Sequence, residues 1–316
     1  MTMKKFRIIF MGTPDFAVPA LKKLLAGPDD IVAVVTQPDR NRGRGRKLSP
    51  SPVKVVAQQH NLPILQPIKI RTVEFLASLK SYRPDLIVVA AYGRILPSSI
   101  LNLPPLGCIN IHGSLLPRHR GAAPIQWAVI KGDRVIGVTI MNVDEEMDTG
   151  DILLPKSMEM AEDDTAGSLF AKLAELGGNA LIEALELLRQ EKLTAKQQDH
   201  SAATMAPPLN KEDGLLDWGL SAQELHCLIR GLDPWPTAFT FLDGKRLRLF
   251  SPEIIYKDSK LSPGTILMAN KQGILVATGE NCLLIREVQP DGKKRMTAGS
   301  FICGHKIDPG ALFTRN

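Results

Sequence analysis

Short apolar runs in the first half of the chain restrict its fold more than any other feature of the sequence. They are rich in β-branched residues and have few polar interruptions: Phe6 to Met11, Ile31 to Thr36, Leu86 to Ala91, and Cys108 to His112. Segments of helical length separate them. Strands of this kind are typical of a parallel sheet that is covered by helices on both faces. We therefore predict an α/β domain, in which ligands bind beyond the carboxyl ends of the strands.

The last third of the chain follows a different pattern. The polar residues 191–208 predict a linker, and an amphipathic helix interrupted at Gly177-Gly178 precedes them. After the linker, short alternating runs are separated by Gly, Pro and Asp, which predicts a small β-barrel or sandwich. The predicted organisation is a domain over 1–190, a linker over 191–208 and a second domain over 209–316.

Composition excludes several classes of protein. A chain of 316 residues with 44% hydrophobic and 23% charged residues is that of an ordinary globular protein of about two domains, not of a disordered one. The cysteines are isolated, so neither a disulfide framework nor a structural metal site is indicated, and a reducing, cytoplasmic setting is favoured. No segment has the apolar length of a signal peptide or of a membrane span.

Asn110 and His112 are the first candidates for chemistry. In a strand, side chains alternate between the two faces, so both of these polar groups lie on one face at a carboxyl end. An Asn amide can donate to a developing oxyanion and a His ring can exchange a proton near neutral pH, so the pair suits attack on a carbonyl carbon. The apolar loop Ser114 to Pro117 could wall a flat ring. A core histidine beside a turn explains the local sequence equally well.

An acidic segment follows the strand-like run Gly137 to Met141. Five carboxylates lie between Val143 and Asp151. Such clusters are usually solvated, and their spacing does not select one member. Asp148 precedes the turn signal Thr149-Gly150, which makes it a candidate for a carboxylate in a fixed position.

A basic segment carries most of the formal net charge of +6, because residues 39–47 contribute five cations and one anion. It follows the second predicted strand, so it should rise from the same sheet edge as Asn110 and His112. Arginines spaced by glycine suit contacts with RNA phosphates and base edges. A solvated surface loop is the alternative.

An ordered set of motifs spans the chain: Asn110, His112, Ser114-Leu115-Leu116-Pro117 and Asp148-Thr149-Gly150. This set resembles the active-site signature of the folate-dependent formyltransferases. Phe10 to Phe16 and Gln37 to Arg40 are similar to the branch of that family whose acceptor is methionyl-tRNA. The resemblance covers essentially the full chain and implies a Rossmann-like domain followed by a smaller OB-like β-barrel that binds tRNA.

The resemblance also implies an activity and a set of residue roles. The activity is transfer of the formyl group of 10-formyltetrahydrofolate to the α-amine of methionyl initiator tRNA, for translation initiation, with no metal. Asn110 and His112 match the residues that hold and polarise the formyl group, and Asp148 matches the carboxylate that completes the trio. The implied folate contacts are Ser114, Leu115, Leu116 and Pro117, and the implied tRNA contacts are Arg42, Arg44, Arg46 and Lys47.

Other functions remain open at this point. A purine-precursor amine or a sugar-nucleotide amine could be the acceptor, or water could attack the same carbon in a hydrolase. A protein that binds RNA without turnover belongs to a different class, against which the trio of Asn110, His112 and Asp148 argues. The basic segment favours the tRNA acceptor. We expect a cytoplasmic monomer.

Overall fold

The structure, a computed structural model, describes residues 4–42 and 47–316. The strands in these ranges are β1 (Arg7–Gly12), β2 (Asp30–Val35), β3 (Arg40–Arg42), β4 (Lys47–Ser49), β5 (Ile64–Leu65), β6 (Leu86–Ala90), β7 (Cys108–His112), β8 (Val135–Asn142), β9 (Ile152–Glu159), β10 (Phe239–Leu242), β11 (Lys245–Ile255), β12 (Ile266–Asn270), β13 (Gly273–Ala277), β14 (Cys282–Pro290) and β15 (Met296–Thr297). The helices are α1 (Val18–Ala26), α2 (Pro52–Gln59), α3 (Val73–Ser81), α4 (Ser98–Leu101), α5 (Pro124–Ile130), α6 (Ala166–Arg189), α7 (Ala222–Gly231) and α8 (Ala298–Gly304).

The first sheet has the strand order β5-β2-β1-β6-β7-β8-β9. β1 pairs in parallel with β2 and β6, and β7 extends the parallel set beside β6. Ile8, Ile9 and Phe10 of β1 are fully buried, as a central strand covered on both faces requires. The predicted parallel α/β fold is confirmed. β8 departs from the pattern, because it pairs with β7 in the antiparallel direction.

α6 corrects one prediction, since the helix runs without a break through Gly177-Gly178. A Cβ on Gly177 would lie 2.7 Å from Cγ2 of Ile111 in β7, and one on Gly178 would lie 2.9 Å from the side chain of Lys23 in α1. Glycine in a helix costs about 1 kcal/mol relative to alanine. Here it permits close packing against β7 and α1 rather than ending the helix.

The second sheet is antiparallel and has the order β10-β11-β14-β13-β12, with β15 paired to β14. Backbone bridges join Thr314 to Phe241 of β10 and Leu312 to Thr265, directly before β12. The stretch that contains Leu312 and Thr314 therefore links the two edge strands and curls the sheet into a half-barrel. This confirms the predicted second fold class. α7 and α8, which pack beside the sheet, are not predicted by the alternating pattern of the sequence.

The chain divides into two compact units that are not continuous in sequence. One consists of Met1–Gly121, Val135–Met158 and Phe170–Ala206, and the other of Ala122–Arg134, Glu159–Leu169 and Pro207–Asn316. Among the described residues, no helix has the length and apolar character needed to cross a membrane.

His226 on α7 should make the second unit sensitive to acid. Its Nδ1 is buried and has no hydrogen-bond partner among the described residues. Burial, reinforced by the nearby Arg230 charge, lowers the pKa of His226 from its ordinary 6.5 to about 4. The unfolded chain therefore binds more protons than the folded chain between these values, so the free energy of unfolding falls as pH falls from 6.5 towards 4.

We expect His226→Leu to flatten this acid dependence. Urea unfolding at several pH values between 4 and 7 measures it, and His60→Leu, at an exposed histidine, is the control. An unchanged dependence in His226→Leu would contradict the assignment.

Candidate active site

β7 places Asn110 and His112 on the face of the sheet opposite to α6. Ile111, between them in sequence, points towards α6, where it meets Gly177. In the register with β8, Asn110 lies opposite Met141 and His112 lies opposite Thr139. Asn110 is half-buried, and its amide makes no hydrogen bond to any residue in the ranges 4–42 and 47–316. The amide is therefore available to a ligand.

Both ring nitrogens of His112 face fixed partners. The side chain is 6% exposed, Nε2 lies 3.0 Å from the His119 carbonyl oxygen, and Nδ1 lies 3.5 Å from Oδ1 of Asp148. A carbonyl oxygen only accepts, so Nε2 carries a hydrogen. Nδ1 then carries one only when the ring is an imidazolium, and that form satisfies the carbonyl and the carboxylate together. The ring is thus placed to hold a positive charge during a reaction.

Asp148 is the member of the acidic segment that reaches His112. Its Oδ2 accepts a hydrogen bond from the Gly121 N–H at 2.9 Å, and its backbone is left-handed, with φ of 57°. This conformation is uncommon for a residue other than glycine. The next turn needs Gly150, because a Cβ there would lie 2.0 Å from the Asn142 carbonyl oxygen. The turn thus holds Oδ1 towards Nδ1 of His112.

The loop Ser114 to Pro117 is fixed from within the sheet. Oγ1 of Thr139 donates to the Ser114 carbonyl at 2.7 Å and accepts from the Leu116 N–H at 3.1 Å. The side chains of Ser114 and Leu116 are buried, whereas Leu115 and Pro117 are half-buried. Of the four residues predicted to contact folate, Leu115 and Pro117 therefore expose more side-chain surface than Ser114 and Leu116. Sequence reasoning missed Thr139. Its role follows from the register of β7 and β8, which places it opposite His112.

Cys108 begins the same strand but is not a candidate nucleophile. Burial raises the pKa of its thiol to about 12. Its Sγ faces the carbonyl oxygens of Ile100 and Leu101 at 3.9 and 3.8 Å. A thiolate, not a thiol, is the reactive form, so covalent catalysis through this residue is disfavoured.

A cavity of about 270 Å³ lies beyond the carboxyl ends of β1, β2 and β6. The residues that line it come from the loops after these strands and from the segment around β4: Thr13, Pro14, Gln37, Pro38, Arg40, Ser49, Ser51, Ala91, Tyr92 and Gly93. It occupies the sheet edge at which the sequence pattern predicts ligand binding.

The basic segment begins beside this cavity as the two-stranded ribbon of β3 and β4. Backbone pairing joins Arg40 to Ser49 and Arg42 to Lys47. The other two arginines predicted to contact tRNA, Arg44 and Arg46, lie outside the described residues.

The base of the ribbon, which includes Gln37 and Asp39 of the segment Gln37 to Arg40, is held by partners that the sequence pattern does not single out. Nζ of Lys54 lies 2.6 Å from Oδ2 of Asp39, and the Gln66 amide donates to Oδ1 at 2.8 Å. The hydrogen bonds from Lys54 and Gln66 lower the pKa of Asp39 below its ordinary value. Gln37 donates to the Tyr92 carbonyl and accepts from Arg94, which ties the base to the loop after β6.

A free amide donor beside a histidine–carboxylate pair, at the ligand-binding edge of an α/β sheet, defines an enzyme suited to acyl-group transfer. Comparison with known proteins makes this specific. Residues 4–185 match the family described as formyl transferase, and residues 208–306 match the family described as formyl transferase, C-terminal domain. The chain belongs to the formyl transferase family.

Individual relatives agree over both domains. The chain is 63% identical to the methionyl-tRNA formyltransferase of Desulfotalea psychrophila, over 96% of this chain and 94% of the relative. It is 47% identical to the methionyl-tRNA formyltransferase of Acetivibrio thermocellus, over 97% of this chain and 99% of the relative. Among solved structures, HypX from Aquifex aeolicus in complex with tetrahydrofolic acid has a TM-score of 0.64 and 19% identity, covering 99% of this chain and about half, 51%, of the longer HypX chain.

Proposed function

We propose that this enzyme transfers the formyl group of 10-formyltetrahydrofolate to the α-amine of methionyl initiator tRNA. The products are formylmethionyl-tRNA for translation initiation and tetrahydrofolate. The observation that carries the proposal is the 63% identity to a methionyl-tRNA formyltransferase over 96% of the chain, because it includes both domains and not only the catalytic one.

In the proposed reaction the α-amine attacks the formyl carbon. The new C–N bond forms, the carbonyl oxygen becomes an oxyanion, and the amide of Asn110 donates to it. The amine loses its proton to the His112–Asp148 pair, through a water where needed. The C–N10 bond then breaks, and a proton returned from this pair leaves N10 of tetrahydrofolate neutral. Asp148 stabilises the imidazolium that exists between the two proton transfers, so no covalent enzyme intermediate is needed.

Incubation with 10-formyltetrahydrofolate and methionyl-tRNA tests the proposal. We expect formylmethionyl-tRNA and an equal amount of tetrahydrofolate. Parallel reactions with a sugar-nucleotide amine, a purine-precursor amine and no amine test the other acceptors and hydrolysis. Faster turnover in any of these than with methionyl-tRNA would overturn the proposed substrate.

Replacement of Arg42, Arg44 and Arg46 by alanine should weaken the use of tRNA. Each phosphate that the variant no longer neutralises reduces the slope of log K against log salt by roughly 0.7–0.9. We therefore expect a higher KM for tRNA with a shallower salt dependence, and unchanged binding of the formyl donor without tRNA. Alanine at the exposed Lys22, Lys80 and Lys192 removes the same charge elsewhere and is the matched control. An equal effect of both sets would mean that the basic segment contributes only net charge.

A cytoplasmic monomer remains the proposed state of the enzyme. All four cysteines are free, and three of them are buried, which suits a reducing compartment. Light scattering of the purified protein measures the oligomeric state.

A further inference from the structure

Gln198 lies in the stretch that the sequence predicts as a linker, yet its side chain is buried among residues around Asp148. It is 4% exposed. Its Nε2 donates to the backbone carbonyl oxygens of Asp148 and Gly150, at 3.0 and 2.6 Å. Its Oε1 accepts from Nε and from a terminal nitrogen of Arg120, at 3.1 and 2.6 Å. One amide therefore joins the turn that carries the carboxylate to a buried guanidinium.

The orientation of this amide is fixed by its partners. A guanidinium only donates and a carbonyl oxygen only accepts, so the oxygen of Gln198 must face Arg120 and the NH₂ group must face the turn. Both amide hydrogens are used on the turn, where Asp148 has its left-handed backbone. Few other residue types can accept from the guanidinium and donate twice from the same position.

Arg120 also belongs to the short segment that holds His112. The His119 carbonyl accepts from His112, and the Gly121 N–H donates to Asp148. The backbone of Arg120, between them, donates to the Thr204 carbonyl at 2.8 Å and accepts from the Ala206 N–H at 2.7 Å. The contacts form a closed ring that runs from His112 through residues 119–121 and Gln198 to Asp148, and back to His112.

We propose that Gln198 is a positioning residue for the formyl transfer, acting through the Asp148 backbone. It holds Oδ1 of Asp148 in line with Nδ1 of His112, so that the carboxylate is in place when the ring becomes charged. The predicted linker then contributes one buried side chain, that of Gln198, to the support of the Asp148 turn. The kinetic consequence rests on the proposed function, whereas the structural consequence for the Asp148 turn does not.

The test variant is Gln198→Glu, which keeps the size of the side chain and its contact with Arg120. Its carboxylate has no hydrogen to donate. The backbone carbonyl oxygens of Asp148 and Gly150 therefore lose their donor and face a carboxylate oxygen instead. We expect kcat to fall at least tenfold, with the KM values for 10-formyltetrahydrofolate and methionyl-tRNA changed less than twofold. Gln197→Glu, one residue earlier at an exposed position, is the matched control and should keep wild-type kinetics.

A second measurement does not depend on activity. The Gly121 amide is protected by Oδ2 of Asp148, so a turn without its support should expose it. We expect faster hydrogen exchange at Gly121 in Gln198→Glu, with the thermal midpoint of unfolding within a few degrees of wild type. If Gln198→Glu does not fold, Gln198→Ala is measured in the same way.

The outcomes separate the two proposals. Wild-type enzyme without formylated product would refute the proposed function, and faster Gly121 exchange would still support the positioning role. Unchanged kcat and unchanged exchange in a folded Gln198 variant would overturn the positioning role. Equal kinetic losses in the Gln197 and Gln198 variants would overturn it too, because added charge alone would then explain the effect.

Discussion

Asn110→Ala should lower kcat by roughly 10²–10³, the usual cost of losing one donor to an oxyanion. A loss of this size could be assigned to catalysis rather than to misfolding. The Asn110 amide makes no hydrogen bond to other described residues, so its replacement disturbs no internal network. The dissociation constant of the formyl donor should change much less, since the oxyanion exists only after the attack. Steady-state kinetics and equilibrium binding of the donor measure the two quantities separately.

Two further variants sharpen this prediction. Asn110→Asp keeps the shape but places a carboxylate where negative charge develops, so its kcat should fall at least as far. Asn102→Ala, at the exposed end of α4, should be silent. Near-normal turnover of Asn110→Ala would show that the oxyanion is stabilised by another group.

Asp29→Ala should lower the free energy of unfolding by about 1.5–3 kcal/mol, the usual contribution of hydrogen bonds to a charged group. Arg189 loses Asp29 but keeps Glu186, whose Oε2 lies 2.5 Å from its Nη1. The side chains of Asp29 and Arg189 are 4% and 8% exposed, and one nitrogen of Arg189 lies 2.9 and 3.0 Å from the two carboxylate oxygens. Asp29 also accepts from the Phe6 N–H at 2.9 Å. The pair thus ties the end of α6 to the chain just before β1. Urea unfolding measures the loss.

A control and a double variant show whether the loss comes from the interaction between Asp29 and Arg189. Asp30→Ala changes the neighbouring, exposed carboxylate and should cost little. Asp29→Leu combined with Arg189→Met removes both charges, so its effect should be smaller than the sum of the two single variants. A double variant that is as unstable as the sum of two single variants would mean that the residues contribute independently.

The α/β sheet was predictable because a short, continuous apolar run such as Leu86 to Ala90 is typical of a strand that is covered on both faces, as in a parallel sheet. The curled second sheet was predictable from alternation and turn residues. The continuity of α6 was not predictable from the sequence. A glycine pair such as Gly177-Gly178 can end a helix, or it can let a neighbouring element pack closely against a continuous one. Only the position of Ile111 and Lys23 in space distinguishes the two cases.

The candidate site also has a part that the sequence predicts and a part that it does not. Strand alternation places Asn110 and His112 on one face, but the turn signal Thr149-Gly150 only makes Asp148 a candidate and does not show that it, rather than Asp144 or Glu145, reaches His112. Selection of Asp148 depends on its distance to His112 and on the Gly121 N–H, which are contacts between distant parts of the chain. Gln198 was hidden for the same reason, since a polar stretch gives no sign that one of its amides is buried.

The atoms that orient His112 and Asp148 from the segment 119–121 belong to the backbone, namely a carbonyl oxygen and an N–H. A designer who grafted Asn110, His112 and Asp148 onto the strand ends of another protein would transfer the reactive groups without the peptide units that aim them. Comparisons restricted to side chains would overlook the His119 carbonyl and the Gly121 N–H for the same reason. Position 119 makes its contact through a backbone carbonyl, whereas position 121 must remain glycine, because any Cβ would lie 2.7 Å from the Ala206 carbonyl oxygen.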